Sequence, residues 1–135
     1  MGLAELIEQK LTANRLTIGI GEIIRQAQKP LPWIIEKQLI ANTLTVIYGP
    51  PKQYKTFVAI DMALSQATGQ PFLGTYKVLE TGLVIYAAGE GVAGVSQRVL
   101  AWCKDRGIDD INEDTVPFRR TKGPIQITSG GAAAL

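Results

Sequence analysis

The chain has no histidine and a single cysteine among its 135 residues, and these shortages remove several functions at once. Without histidine there is no Ser-His-Asp triad, and one thiol with no imidazole is too small a ligand set for a structural zinc site. One cysteine also permits no internal disulfide, which fits a reducing cytoplasm. Charge is equally sparing: 14 basic against 12 acidic residues leave a net +2, so bulk electrostatics does not announce a nucleic-acid binder. No apolar run is long enough to span a bilayer. The N-terminus lacks the basic stretch and long apolar core of a secretory signal, and Leu6 stands where myristoylation after Met1-Gly2 needs Ser or Thr. A cytoplasmic chain with no membrane partner is therefore expected. Its composition, 46% hydrophobic and 19% charged, suffices to fill a packed core.

What the chain does have is Gly49-Pro50-Pro51-Lys52-Gln53-Tyr54-Lys55-Thr56, a phosphate-binding loop in all but one glycine. The usual pattern is G-x-x-x-x-G-K-[ST], and here Tyr54 replaces the second glycine. The context supplies what a phosphate loop needs. Thr43-Leu44-Thr45-Val46-Ile47-Tyr48 reads as a strand of β-branched and aromatic residues, Gly49-Pro50-Pro51 breaks it, and 56–68 is an unbroken helical stretch closed by Gly69. The loop backbone would cradle phosphates together with the positive end of that helix. Lys55 would reach the β- and γ-phosphates, which makes it a catalytic as well as a binding candidate, and the Thr56 hydroxyl would hold Mg²⁺. Tyr54 must point away from the ligand or cover it, because glycine at that place lets backbone approach phosphate. Lys52 is either a second cation beside the phosphates or a solvated loop lysine.

A second block, Leu83-Val84-Ile85-Tyr86-Ala87-Ala88, is a continuous apolar run between glycines, as expected of a strand buried on both faces of a parallel sheet. Glu90 lies just past its end, the edge where open α/β sheets bind ligands, and a carboxylate there can polarise a water for attack on the γ-phosphate. An amphipathic helix over 92–106 follows, with Val92, Val95, Val99 and Trp102 on one face, and Gly107 stops it. The helix after the loop is apolar nearly all round and should be central. Strand, helix, strand then makes a right-handed βαβ unit in a mostly parallel α/β sheet.

These blocks together resemble a known family. Trp33-Ile34-Ile35-Glu36, the loop with Lys55-Thr56-Phe57, Ala67-Thr68-Gly69-Gln70-Pro71-Phe72, Ala87-Ala88-Gly89-Glu90-Gly91 and then Gln97-Arg98 occur in the order seen in RecA-like ATPases of the RepA replicative helicase type, found in plasmids, phages and prophages. The resemblance covers roughly the middle two thirds of the chain. It implies a three-layer RecA-like P-loop fold, ATP and Mg²⁺ as ligands, Glu90 as the family's catalytic glutamate, and a hexameric ring translocating on single-stranded DNA. No Walker B aspartate is recognisable before the chain reaches Ser129-Gly130-Gly131 and the alanines, so the expectation is a motor domain that stops before the Walker B strand.

Two regions keep alternative readings. The basic cluster Arg119-Arg120-Thr121-Lys122 is either a contact to nucleic acid or to a neighbouring subunit, or a solvated loop. Residues 1–31, with Leu3, Leu6, Ile7 and Leu11 on one helical face and a proline-marked end at Pro30 and Pro32, are either an assembly arm or a lid, and 32–135 form the partial nucleotide-binding domain. Three functions remain in view: an ATP-hydrolysing helicase motor, a non-hydrolysing nucleotide-binding or assembly module, and a small P-loop kinase.

Overall fold

The computed structural model describes residues 1–13, 17–89 and 91–125. It divides into two units, Met1–Leu31 and Pro32–Leu135. The first holds two helices, α1 (Leu3–Ala13) and α2 (Ile20–Ala27), each amphipathic and each with its apolar residues open to solvent: Leu3, Ile7, Ile20 and Ile24 are all exposed. In α2 the polar face is self-supporting, since Gln26 Nε2 donates to Glu22 at 3.0 Å and Arg25 pairs with the same carboxylate.

The second unit opens with an antiparallel hairpin of β1 (Trp33–Ile35) and β2 (Leu39–Ile40). Lys37, at φ 61°, takes the left-handed place in its turn. The other edge of β1 is covered by a later segment, where Glu36 N donates to Lys77 O at 2.9 Å and Leu79 N to Ile34 O at 2.8 Å. That pairing seals Ile35, which has no exposed surface.

Helix α3 (Lys55–Thr68) is the central element, packing against α4 (Val92–Asp105) and against both strands of a parallel pair, β3 (Val84–Tyr86) and β4 (Phe118–Arg120). Ile60 and Leu64 of α3 meet Val95 and Cys103 of α4 and Val116, with Tyr86, Val99, Trp102 and Phe118 packed around them. Each fully buried aliphatic side chain here contributes roughly 2 kcal/mol. The helix ends at Gly69, φ 80°, whose N–H donates to Ser65 O at 2.8 Å. Its left-handed φ favours glycine, and a Cβ there would also press at 3.3 Å on the Thr81 methyl.

The parallel pair is one step later in the chain than the sequence suggests. The crossover helix is α4, linking β3 to β4, whereas 43–48 pairs with no strand among the described residues. Leu44 is 91% and Tyr48 89% exposed, and among the described residues no backbone hydrogen bond ties the run to a neighbour. A β-favouring sequence without a partner for its N–H and C=O groups stays extended but unladdered. The apolar run 83–88 likewise shortens to three strand residues, with Ile85 exposed. The architecture is thus mixed α/β with a small parallel sheet, compatible with a P-loop fold.

Cys103 is completely buried on α4, and burial pushes its thiol pKa above the ordinary 9.0. A thiol whose folded pKa is raised stabilises the fold fully below the unfolded value, and that contribution is lost as pH rises through the folded value. The melting temperature of the parent should therefore fall more steeply above about pH 9 than that of Cys103→Ala, which has no thiolate to form. Parallel melting curves across that range would contradict the assignment.

Candidate functional site

The loop before α3 is built by turns rather than by glycine. Lys52 at φ 62° and Tyr54 at φ 56° both adopt the left-handed conformation, with Gln53 between them. Alternation of this kind curls the chain so that successive N–H groups face one concave side, a nest for an anion. The second left-handed position falls at the residue where the usual motif has glycine, which is the physical reason that glycine is usual there. Tyr54 bears the strain, roughly 1 to 2 kcal/mol. The residue is 73% exposed and its ring leans toward Phe57, with centroids 5.9 Å apart.

Tyr54 is also the N-cap of α3 and gives no side-chain cap. The first N–H groups of this 14-residue helix are therefore free to meet an anion, with the positive end of the helix dipole behind them. Lys55 opens the helix and folds its ammonium back over the loop, where Nζ donates to Gly49 O at 2.8 Å and also to Pro50 O. That ties a cation to the start of the loop.

Two cavities meet at this point. One, of about 250 Å³, is lined by Lys52, Gln53, Tyr54, Lys55, Thr56 and Phe57, and no carboxylate lines it among the described residues. The other, of about 330 Å³, joins Thr56 to the carboxyl end of β3 through Tyr86, Ala88, Gly89 and Gly91. Arg98 borders both. The carboxyl edge of the parallel pair and the start of α3 thus share one cleft, as ligand sites in open α/β sheets do. The described residues fit a triphosphate with Mg²⁺. They supply unpaired helix N–H groups, two lysines, and an exposed Thr56 hydroxyl between the two cavities. Magnesium bound this way takes most of its ligands from phosphate and water, so one protein hydroxyl is a sufficient anchor.

Of the residues named from sequence, Lys52 to Thr56 line this cleft, Gly49 and Pro50 are tied to it through Lys55, and Pro51 lies between them in the chain. Glu90 lies outside the described residues, while Gly89 and Gly91 on either side of it line the second cavity. The basic cluster is not the loop that one reading expected. Arg119 and Arg120 belong to β4, with Arg119 exposed. Arg120 is half-buried, and its Nη1 donates to Thr121 O at 2.7 Å. Thr121 then stitches β4 to the end of β3, its N–H donating to Tyr86 O at 3.0 Å and its Oγ1 accepting from Ala88 N at 3.2 Å. Lys122 is exposed beyond the strand.

A network not expected from sequence centres on α3. Asp61, only 9% exposed on α3, accepts from Leu73 N at 2.8 Å, Trp102 Nε1 at 2.6 Å and Arg106 Nη2 at 3.1 Å. It ties α3 to α4 and to the turn after α3. Its signal in sequence is an acid in an otherwise apolar helix, a residue type seldom buried unless paired. Among the described residues no group of three or more His, Cys, Asp or Glu side chains could hold a metal, and no helix is long and apolar enough to cross a membrane.

Comparison with curated proteins and with solved structures finds no match to the chain. The AAA domain family matches residues 12–132, nearly the whole chain and all of the cleft described above. With a phosphate loop, a helix N-terminus and a parallel strand edge meeting within that span, the chain belongs to the AAA domain family of P-loop ATPases, whose members bind ATP.

Proposed function

We propose that the chain binds MgATP at the 49–56 loop and hydrolyses it to drive movement along DNA, as a ring of copies in phage or plasmid replication. The observation that carries the reading is the Lys55 ammonium held over a carboxylate-free loop at the uncapped start of α3, beside the carboxyl end of β3. The DNA-directed half rests on the family together with the blocks resembling RepA-type helicases. In this reading the loop N–H groups and Lys55 hold the phosphates, Thr56 anchors Mg²⁺, and Glu90 takes a proton from the attacking water. The metal neutralises charge that builds on the phosphate oxygens when bound.

The same reading gives the exposed apolar surfaces an office. Residues 44–48 would become a strand of a three-layer RecA-like core when further strands pair with them, and their exposure supports this. The open apolar faces of α1 and α2 suit an assembly arm, and exposed Arg119 and Lys122 suit a phosphodiester or a neighbouring subunit. A buried, unpaired Cys103 fits the cytoplasm.

A second reading, nucleotide binding without turnover, is favoured by one observation, the strained Tyr54 where the motif has glycine. Phosphate release with and without single-stranded DNA separates the two. Turnover in the parent that vanishes in Glu90→Gln, with nucleotide affinity kept, is the expected result. Release unchanged in Glu90→Gln would remove Glu90 from the mechanism, and binding with no release in the parent would leave the second reading.

A further inference from the structure

Leu73 stands in the turn that follows α3 and holds a backbone conformation that side chains rarely take, φ 49°, with Gly74 after it at 66°. Asparagine and glycine are the usual residues at such positions, and an apolar side chain has no local hydrogen bond with which to offset the strain. The turn is nevertheless firmly built. Phe72 is buried, Phe72 and Tyr76 exchange backbone hydrogen bonds of 2.9 Å each, and the Leu73 N–H donates to Asp61 Oδ2 at 2.8 Å. The leucine side chain takes little part in that construction, since the residue is 54% exposed. The fold therefore bears a strained backbone while leaving an apolar side chain in water.

The same unit carries a groove of about 510 Å³ between α3 and α4, lined by Phe57, Ile60, Ala101 and Trp102 together with Arg98 and Asp105. Phe57 and Ala101 are exposed there. We propose that the Leu73 turn of one copy of this chain seats in the α3–α4 groove of another. Strain kept at an exposed position points to a contact outside the fold. The occupant follows from the match between the two patches, which are both open on one chain. Residues 69–76 carry no charge, so the turn enters an apolar lining without stranding an ion. The segment just after it bears exposed Lys77 and Glu80, opposite in sign to the Asp105 and Arg98 of the groove. Because turn and groove are different surfaces, the contact runs head to tail and repeats from copy to copy. It depends neither on nucleotide binding nor on closure into a ring.

Sedimentation velocity over a micromolar to millimolar concentration series reads the contact in the parent, Leu73→Asn and Ala101→Glu, each with its melting temperature. The parent should associate as concentration rises. Leu73→Asn should weaken association about ten- to hundredfold, the range for burying one leucine, yet melt a few degrees higher because asparagine tolerates the left-handed backbone. Ala101→Glu sets a carboxylate in the groove and should lose association at an unchanged melting temperature. If it does not fold, Ala101→Gln, which fills the groove without charge, takes its place. An equimolar mixture of the two variants gives the sharpest reading. The intact leucine of one fits the intact groove of the other, so the mixture should form dimers and nothing larger. A parent that stays monomeric, a Leu73→Asn variant that associates like the parent, or a mixture that stays monomeric would overturn the contact. Nucleotide affinity is read separately, so the nucleotide site and this contact can fail independently.

Discussion

Lys55→Ala is expected to weaken binding of MgATP at least about a hundredfold, equivalent to about 2.7 kcal/mol, while leaving the melting temperature almost unchanged. The two halves of that prediction come from the same geometry. Among the described residues the ammonium is bonded only to Gly49 O and to Pro50 O, both on an exposed loop, so little of the fold depends on it. Exposed contacts of this kind contribute little to stability, because water replaces them when they break. Against a triphosphate the situation differs. Several negative charges must be drawn out of water into a cleft, and Lys55 is the lining cation that hydrogen bonds fix to the loop. Lys52 lines the same cavity but is exposed, with no hydrogen bond or ion pair to fix it among the described residues, so it does not substitute. Calorimetric titration beside thermal denaturation checks both halves. Affinity within a factor of a few of the parent would remove Lys55 from the site.

Asp61→Ala should have the opposite profile, destabilising the fold by on the order of 3 kcal/mol. Its carboxylate serves three donors, one on the turn after α3 and two at the C-terminal end of α4, and its removal strands the Trp102 N–H and leaves Arg106, among the described residues, with the Pro71 carbonyl and the exposed Asp105. The side chains are only 12% and 20% exposed for Asp61 and Arg106, so solvent does not replace the lost partner. A small domain has about 5 to 15 kcal/mol in total, which makes this a large fraction. Asp61→Asn keeps an acceptor for one or two of the donors and should cost less. The midpoints of urea unfolding give the comparison. A midpoint for Asp61→Ala equal to that of the parent would show that the network is incidental to the fold.

The contrast between these two residues also shows what could be read in advance. Lys55 belongs to a local pattern of glycine, prolines, lysine and threonine within eight positions, and local patterns are legible because their geometry is carried by adjacent backbone. The same holds for α3 and α4, whose ends are set by Gly69 and Gly107. The Asp61 network joins residues 12, 41 and 45 positions apart, and no spacing rule connects them. Strand pairing failed for a related reason. The composition of 43–48 states a preference for extended chain, but a strand exists only when another segment offers it hydrogen bonds, and that information lies elsewhere. Conversely β4 was hidden, because Phe118-Arg119-Arg120 shows a charge cluster more plainly than a three-residue alternation. Tyr54 stood out as a substituted glycine, and the structure supplies the reason that the substitution matters, a left-handed backbone at the start of α3. Arg98 was legible as part of the Gln97-Arg98 block, but not its place in the packing. Its position beside Phe57 and Thr56 required the packing of α4 on α3.

The most direct test of the account is titration of the purified chain with a non-hydrolysable ATP analogue and Mg²⁺, with Lys55→Ala as its control. Saturable binding at one site per chain, lost in the variant, is the result expected of a phosphate loop that works despite Tyr54. No binding by the folded parent at millimolar analogue, or binding that survives in Lys55→Ala, would contradict the nucleotide site.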